Sequence, residues 1–304
     1  MNRYVYGLLV ILTTALMGSS FAVGKMGLAY ASPLLLAAVR FISAGLIMAL
    51  IVRILKRTIP RTRGVWFKIM MIGFFQTAGV MGCIFLSLRT ITAGESSILT
   101  FINPLLVVVF GTIFIRIKYN LYQWTGVFLG FIGVFITMGG QLGFKIGTLL
   151  GFLSAVSFAI STLLVKSWGR MVDTWVLSAY QMLFGGLFLL ISSFLLEKPF
   201  FIVSSDSLVI LSWLSIMSSI VQFAVWYYLL QKGDPGKTSS FLFLAPFFGV
   251  LSGWLLLEEQ LKTYIIIGGL FILIGIFLVN GTTQYNRFKR KRGKNTVVQQ
   301  YTRL

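Results

Sequence analysis

The chain has 304 residues, 57% of them hydrophobic and only 11% charged, with a mean hydropathy of +0.91. A soluble domain of this size cannot bury so much apolar surface, so a polytopic membrane protein is the class that fits. The net charge of +19 suggests nucleic acid at first sight, but Lys and Arg also collect on the cytoplasmic side of membrane proteins.

A membrane span needs about 20 apolar residues. Ten are predicted, at roughly 4–24, 33–52, 67–88, 92–115, 121–140, 147–165, 174–196, 208–230, 237–257 and 264–281. The fold class expected is therefore an all-α polytopic membrane protein. Asn2-Arg3 before the first apolar run resembles a signal peptide, but the length of that run favours a retained span. Thr13, Met17 and Ser20 share one of its faces. The second span carries Arg40 close to mid-depth, where an arginine costs about 2.5–3.5 kcal/mol on insertion scales and faces a bundle interior or an aqueous cavity. It is read either as an anchor for an anionic group or as a structural partner of Glu95. The connection at 52–66 is the longest hydrophilic stretch between spans, too short for a folded soluble domain.

Gln76 and the single cysteine, Cys83, lie in the third span; one cysteine forms no intramolecular disulfide. The fourth contains Glu95 near its start and Asn103-Pro104 at depth. A proline there removes one helical hydrogen bond and clashes with the carbonyl four residues earlier, at Thr100. Gly126-x3-Gly130 with Gly133 in the fifth span and Gly147-x3-Gly151 in the sixth suit close helix packing, and equally a homodimer face. Ser154, Phe158 and Ser161 mark one face of the sixth span, Gln181 lies in the seventh, and Gln222, Trp226 and Tyr227 in the eighth. The ninth holds Pro246 and the tenth Gly268 and Gly275. Serines and threonines in membrane helices serve mostly as glue between helices. Glutamine has four hydrogen-bonding sites to satisfy, and a substrate cavity is one way to satisfy them.

These elements repeat. At an offset of 141 residues Leu8–Gly45 falls on Leu149–Gly186 without a gap, with Thr13 on Ser154, Ser20 on Ser161, Lys25 on Lys166 and Arg40 on Gln181. At 142, Ser97 falls on Ser239, Pro104 on Pro246, Gly111 on Gly253, Gly126 on Gly268 and Gly133 on Gly275. Each copy holds five spans, and an odd number reverses the second copy. The reading is two inverted five-helix units, 4–140 and 147–281, as in many secondary transporters, followed by a basic tail at 282–304. With both termini inside, 20 of the 26 Lys and Arg fall on the inner side and 5 on the outer (Lys25, Arg89, Lys145, Lys198 and Lys262), with Arg40 within a span. The run Arg287–Lys294 is then a topology anchor attracted to anionic lipid rather than a nucleic-acid site.

Other chemistries lack their residues. There is no histidine, which removes His-dependent triads, zinc proteases and His-ligated haem. The acids Glu95, Asp173, Glu197, Asp206, Asp234, Glu258 and Glu259 all fall near span ends or in loops. No enzyme activity, cofactor or metal site is expected. Gly236-Lys237-Thr238-Ser239 resembles the end of a phosphate-binding loop, but Gln231 stands where the motif needs glycine. A potassium-type selectivity filter is also absent.

The repeated marks resemble the drug/metabolite transporter superfamily, and its EamA-type group in particular, over nearly all of 4–281. That pattern runs from a proline-bearing helix through a short connection beginning with Glu to a Gly-rich helix. Ala245-Pro246, Leu257-Glu258-Glu259-Gln260-Leu261-Lys262-Thr263, Gly268 and Gly275 follow it. In the first copy Asn103-Pro104, Gly126 and Gly133 fit, but Ile117 stands where Glu259 is in the second. The resemblance implies carrier-mediated movement of small organic metabolites or drugs across the cell membrane, often outward, through a central cavity between the repeats. Amino acids or related compounds are the expected substrates. In that reading Arg40 holds an anionic group, Gln76, Asn103, Gln181 and Gln222 orient it, and Trp226 and Tyr227 pack its apolar part. Glu95 is the candidate for proton coupling. The rival readings are a passive channel or facilitator and a non-transporting scaffold or sensor.

Overall fold

The computed structural model describes residues 3–116, 119–137, 145–232 and 244–278. The expectations for the 282–304 tail and for the first residues of the ninth span lie outside them. Among the described residues every named element is a helix, and the single β-bridge joins Ala31 to Phe201.

In chain order the helices are α1 (Arg3–Gly27), α2 (Pro33–Ile54), α3 (Arg63–Gly73), α4 (Val80–Ser87), α5 (Ala93–Thr100), α6 (Asn103–Ile115), α7 (Leu121–Thr137), α8 (Ile146–Trp168), α9 (Thr174–Leu196), α10 (Ser205–Ser212), α11 (Gln222–Lys232), α12 (Leu244–Leu257) and α13 (Thr263–Leu278). Seven helical stretches are long and apolar enough to cross a membrane, while α7, α12 and α13 are apolar but shorter. Three of the seven are composite. A wide π-helical turn, Phe74–Gly79, joins α3 to α4, another, Trp213–Val221, joins α10 to α11, and residues 101 and 102 separate α5 from α6.

Local chemistry sets the helix starts. Pro33 opens α2, where its missing N–H leaves no bond unmade. Thr92 and Glu95 form a reciprocal capping box at α5, Ser204 and Ser207 do the same at α10, and Asp173 accepts from Trp175 N at 2.8 Å to start α9. Pro104 falls in the first turn of α6, the part of a helix that tolerates proline without losing an internal bond, and Pro246 lies within α12.

The α2–α9 and α7–α13 pairs run antiparallel and pack closely. Gly45 of α2 meets the Leu183 backbone of α9, and Gly186 of α9 meets Ile42 of α2. Gly133 and Gly268 face each other's carbonyls across α7 and α13, with Gly275 against Gly126 and Gly130. These glycines are used within the chain, which accounts for their spacing without a second copy. Further pairings are α5 with α12, α1 with α12, α8 with α5 and α6, α4 with α8, and α1 with α11. Two of these pairs have a counterpart in the other half, α1 with α12 answering α8 with α6, and α4 with α8 answering α1 with α11.

The helix ends gather on two faces. On one, Ser32 N donates to Phe200 O at 3.0 Å, Ile202 N donates to Tyr30 O at 2.7 Å, and Lys25 pairs with Glu259 at 2.8 Å. On the other, Arg57 pairs with Asp173 at 3.6 Å and Lys68 lies over the Trp168 ring.

A Cβ on Gly133 would lie 2.6 Å from Gly268 O and 2.8 Å from Ile272 N, both backbone atoms, whereas one on Gly7 would meet nothing. Gly133→Val should therefore destabilise the protein by about 1–3 kcal/mol, the usual cost of overpacking, while Gly7→Val should not. Thermal unfolding of both variants in detergent checks this.

Candidate functional site

The wide π-helical turns organise the polar interior. Such a turn leaves carbonyls without their usual i→i+4 donor, and it occurs frequently at functional sites. Arg40, 2% exposed, reaches the turn at Trp213–Val221: its Nε donates to Ser219 Oγ and its Nη2 to the Ser218 carbonyl, both at 3.0 Å. Its guanidinium also lies 4.7 Å from the centre of its neighbour Phe41. Among the described residues no carboxylate lies within ion-pair distance of it.

Gln181, the sequence equivalent of Arg40, bonds to the other wide turn. Its Oε1 accepts from Thr77 Oγ1 at 2.7 Å. Thr77 itself falls on Ser219 at the 142-residue offset. The two contacts join equivalent positions with opposite polarity: the guanidinium donates to Ser219, and the Gln181 amide oxygen accepts from Thr77.

Glu95 does not pair with Arg40, which corrects the structural alternative raised from the sequence. Its carboxylate accepts from the Thr92 backbone N–H and hydroxyl, both at 3.1 Å, at the first turn of α5. The local cap satisfies it without a distant cation.

The other candidates divide into engaged and open. Gln76, inside the first wide turn, accepts from Ser161 Oγ at 2.5 Å. Asn103 and Gln222 are 94–95% buried (6% and 5% exposed), yet neither side-chain amide is hydrogen-bonded to a described residue. Gln222 is held through its backbone, whose carbonyl accepts from Thr13 Oγ1 at 3.2 Å. Trp226 is half-buried one turn further along α11. Tyr227 follows it, and the expectation for its side chain lies outside the described residues. Pro104 stands beside Asn103 just after the break at Phe101 and Ile102, both buried. Thr100, whose carbonyl the proline frees, ties its hydroxyl to Ser154 on α8 at 2.7 Å. A non-helical step at membrane depth needs such protein cover.

Several residues of this interior escape a reading by type and spacing. Thr77, Ser218 and Ser219 look like any membrane serine or threonine, and only the repeat offset marks the Thr77–Ser219 pair. Glu197 and Glu259 look like ordinary loop acids. Glu197 accepts from Leu34 N and Leu35 N at 3.3 and 3.0 Å at the start of α2. Glu259 accepts from Lys25, Ala93 N and Gly94 N at the start of α5.

Seven helical stretches able to cross a membrane around a polar interior describe a multi-pass membrane protein. The EamA-like transporter family model matches residues 5–139 and again 145–281, so the chain belongs to that family. It is 29% identical over 280 residues to the uncharacterised transporter YvbV of Bacillus subtilis, covering 90% of each chain. It is 24% identical to protein PecM of Dickeya dadantii, covering 90% of this chain and 93% of the other. It is also 28% identical to a chloroplastic WAT1-related protein of Arabidopsis thaliana, covering 86% of this chain and 66% of that one. A solved crystal structure shares the fold, with a TM-score of 0.63 at 20% identity over 91% of this chain and 98% of the other.

With Arg40 and Glu95 in separate networks, their substitutions should act independently. The stability losses of Arg40→Gln and Glu95→Gln should add in the double variant to within about 0.5 kcal/mol. Thermal unfolding of the three proteins measures this, and recovery of stability in the double variant would restore the ion-pair reading.

Proposed function

We propose that the protein is a secondary transporter that exports small organic metabolites bearing an anionic group, amino acids or related compounds among them. It works by alternating access between two inverted five-helix repeats, 4–140 and 147–281. The observation that carries this reading is a buried arginine with no carboxylate partner among the described residues, near-buried amides at Asn103 and Gln222 being left open as well. An uncompensated buried charge is costly, and a substrate carboxylate would supply the missing partner through charge-assisted hydrogen bonds.

In this reading Arg40 anchors the anionic group and Asn103 and Gln222 orient the rest, with Gln76 and Gln181 held in place by Ser161 and Thr77. Trp226 and Tyr227 would cover the apolar part. Pro104, at the start of α6, and its sequence equivalent Pro246 would be the symmetric points where the pathway helices break. The helix pairs that answer one another across the two halves support the inverted repeat, as do the recurrence of a wide turn in the third and eighth spans and the Arg40/Gln181 equivalence. Engagement of Glu95 in its own cap favours uniport or exchange over proton coupling at that residue.

The protein purified into liposomes should give saturable flux that is stimulated by substrate on the opposite side; linear, unstimulated flux would indicate a channel, and none a scaffold. Substrate comes from comparing metabolites inside and outside cells with and without the gene. Arg40→Gln should weaken binding about 10- to 100-fold, since a hydrogen bond to a charged group contributes about 1.5–3 kcal/mol. Arg40→Lys should also bind more weakly, because an ammonium lacks the planar two-pronged geometry. Unchanged binding in Arg40→Gln ends the anchor assignment.

Orientation has its own test. The 20-to-5 division of basic residues puts both termini and the 52–66 connection in the cytoplasm of a cell-membrane protein. Reporter fusions after Arg57 and at the C-terminus should report inside, and one after Lys198 outside.

A further inference from the structure

The two faces of the bundle are fastened unequally. On the face carrying Lys25, the Glu259 carboxylate joins three helices at once. It pairs with Lys25 Nζ at the end of α1, at 2.8 Å, and accepts from Ala93 N at 2.8 Å and Gly94 N at 3.3 Å, the first residues of α5. Glu259 itself follows α12 and is 10% exposed as a side chain, against 30% for Lys25. Lys25 Nζ also donates to Ile91 O at 3.0 Å, which ties the α4–α5 connection into the same knot. Just beneath, α1, α5 and α12 touch through glycine: Gly18 against the Gly249 backbone, Gly249 against Ser97, and Gly253 against Glu259.

The repeat makes the comparison with the other face a controlled one. Lys25 falls on Lys166, which is exposed and has no carboxylate partner among the described residues. Glu259 falls on Ile117 in the sequence. In the sequence, one copy of the repeat thus has an acid at this position and the other an aliphatic residue.

We propose that the Lys25–Glu259 contact, with the cap on α5, is the closing contact of the outer end of the pathway, and that its missing counterpart biases the resting protein toward access from the cytoplasm. The proposal rests on alternating access and on the orientation argued above. Outward opening requires α12 to part from α1 and α5, and that movement breaks a charge-assisted bond and uncaps a helix. At the other end no acid pairs with Lys166 among the described residues, so inward opening breaks no matching contact there. For an exporter this asymmetry is useful: the empty carrier waits facing the compartment that holds its substrate, and substrate binding offsets the cost of breaking the outer contact.

The test reads accessibility and not transport. In the full chain with Cys83→Ser and Asn103→Cys, a membrane-impermeant thiol reagent is applied to the outer face in cells and to the inner face in inverted vesicles. The starting protein should react at least five-fold faster from the inner face. Glu259→Ala and Lys25→Met should each raise the outer rate three- to ten-fold and leave the inner rate equal or lower. Lys262→Met, which removes another lysine on the same connection, should change neither. Lys25→Met leaves the cap on α5 in place, so it carries the test if Glu259→Ala fails to accumulate. An unchanged outer rate in Lys25→Met, an equal rise from both faces, or no reaction from either face would each overturn the proposal. If the accessibility shifts occur while liposomes move no substrate, the transport reading fails and the outer contact stands.

Discussion

A guanidinium buried in an apolar bundle and hydrogen-bonded, among the described residues, to a backbone carbonyl and a serine hydroxyl sets the conditions for the rest of this interior. The two acceptors that Arg40 uses come from a stretch of helix wound too wide. In a regular helix the Ser218 carbonyl would be committed to its own turn. Here the Ser218 carbonyl accepts from Arg40 Nη2, and Ser219 Oγ donates to the Leu214 carbonyl at 3.0 Å while accepting from Arg40 Nε. Arginine and wide turn therefore satisfy each other: the charge needs an acceptor at depth, and the loosened turn needs a donor.

The equivalent contact in the other half, between Thr77 and Gln181, shows which part of the arrangement is structural. A neutral amide suffices to tie the seventh span to the third. The second span therefore does not need a full positive charge to be tied to the eighth, and the charge is surplus to packing. That surplus is the physical reason for assigning Arg40 to substrate and Gln181 to support, although the two occupy equivalent positions.

Legibility from sequence followed the range of the interaction. The apolar spans and the glycines that let α7 meet α13 act through composition or fixed periodicity, and each could be read from the chain. Pro104 and Pro246 could be read as breaks, because proline disturbs any helix interior in a known way. The wide turns could not, since Phe74–Gly79 and Trp213–Val221 have ordinary helix-forming sequences and the widening follows from partners more than a hundred residues away. Glu95 misled for the opposite reason. It was weighed against a distant cation, when the Thr92 three residues before it already completed a capping box. Local satisfaction takes precedence where it is available, because it requires no further chain to be ordered.

Departures from symmetry carry more information about function here than symmetry itself. A perfectly repeated chain would be equally stable open to either side and would have no reason to prefer one direction. This chain departs at Arg40 opposite Gln181, and again at Glu259 opposite Ile117. The first puts a charge on one wall of the proposed pathway, and the second fastens one end of it. Both departures are ionic and both lie where two repeats meet, so each acts on the equilibrium between the two proposed open states rather than on the fold of either half. Differences of a few kcal/mol between such states shift their populations, and one arginine without a carboxylate partner among the described residues and one acid present in a single copy of the repeat are differences of that order.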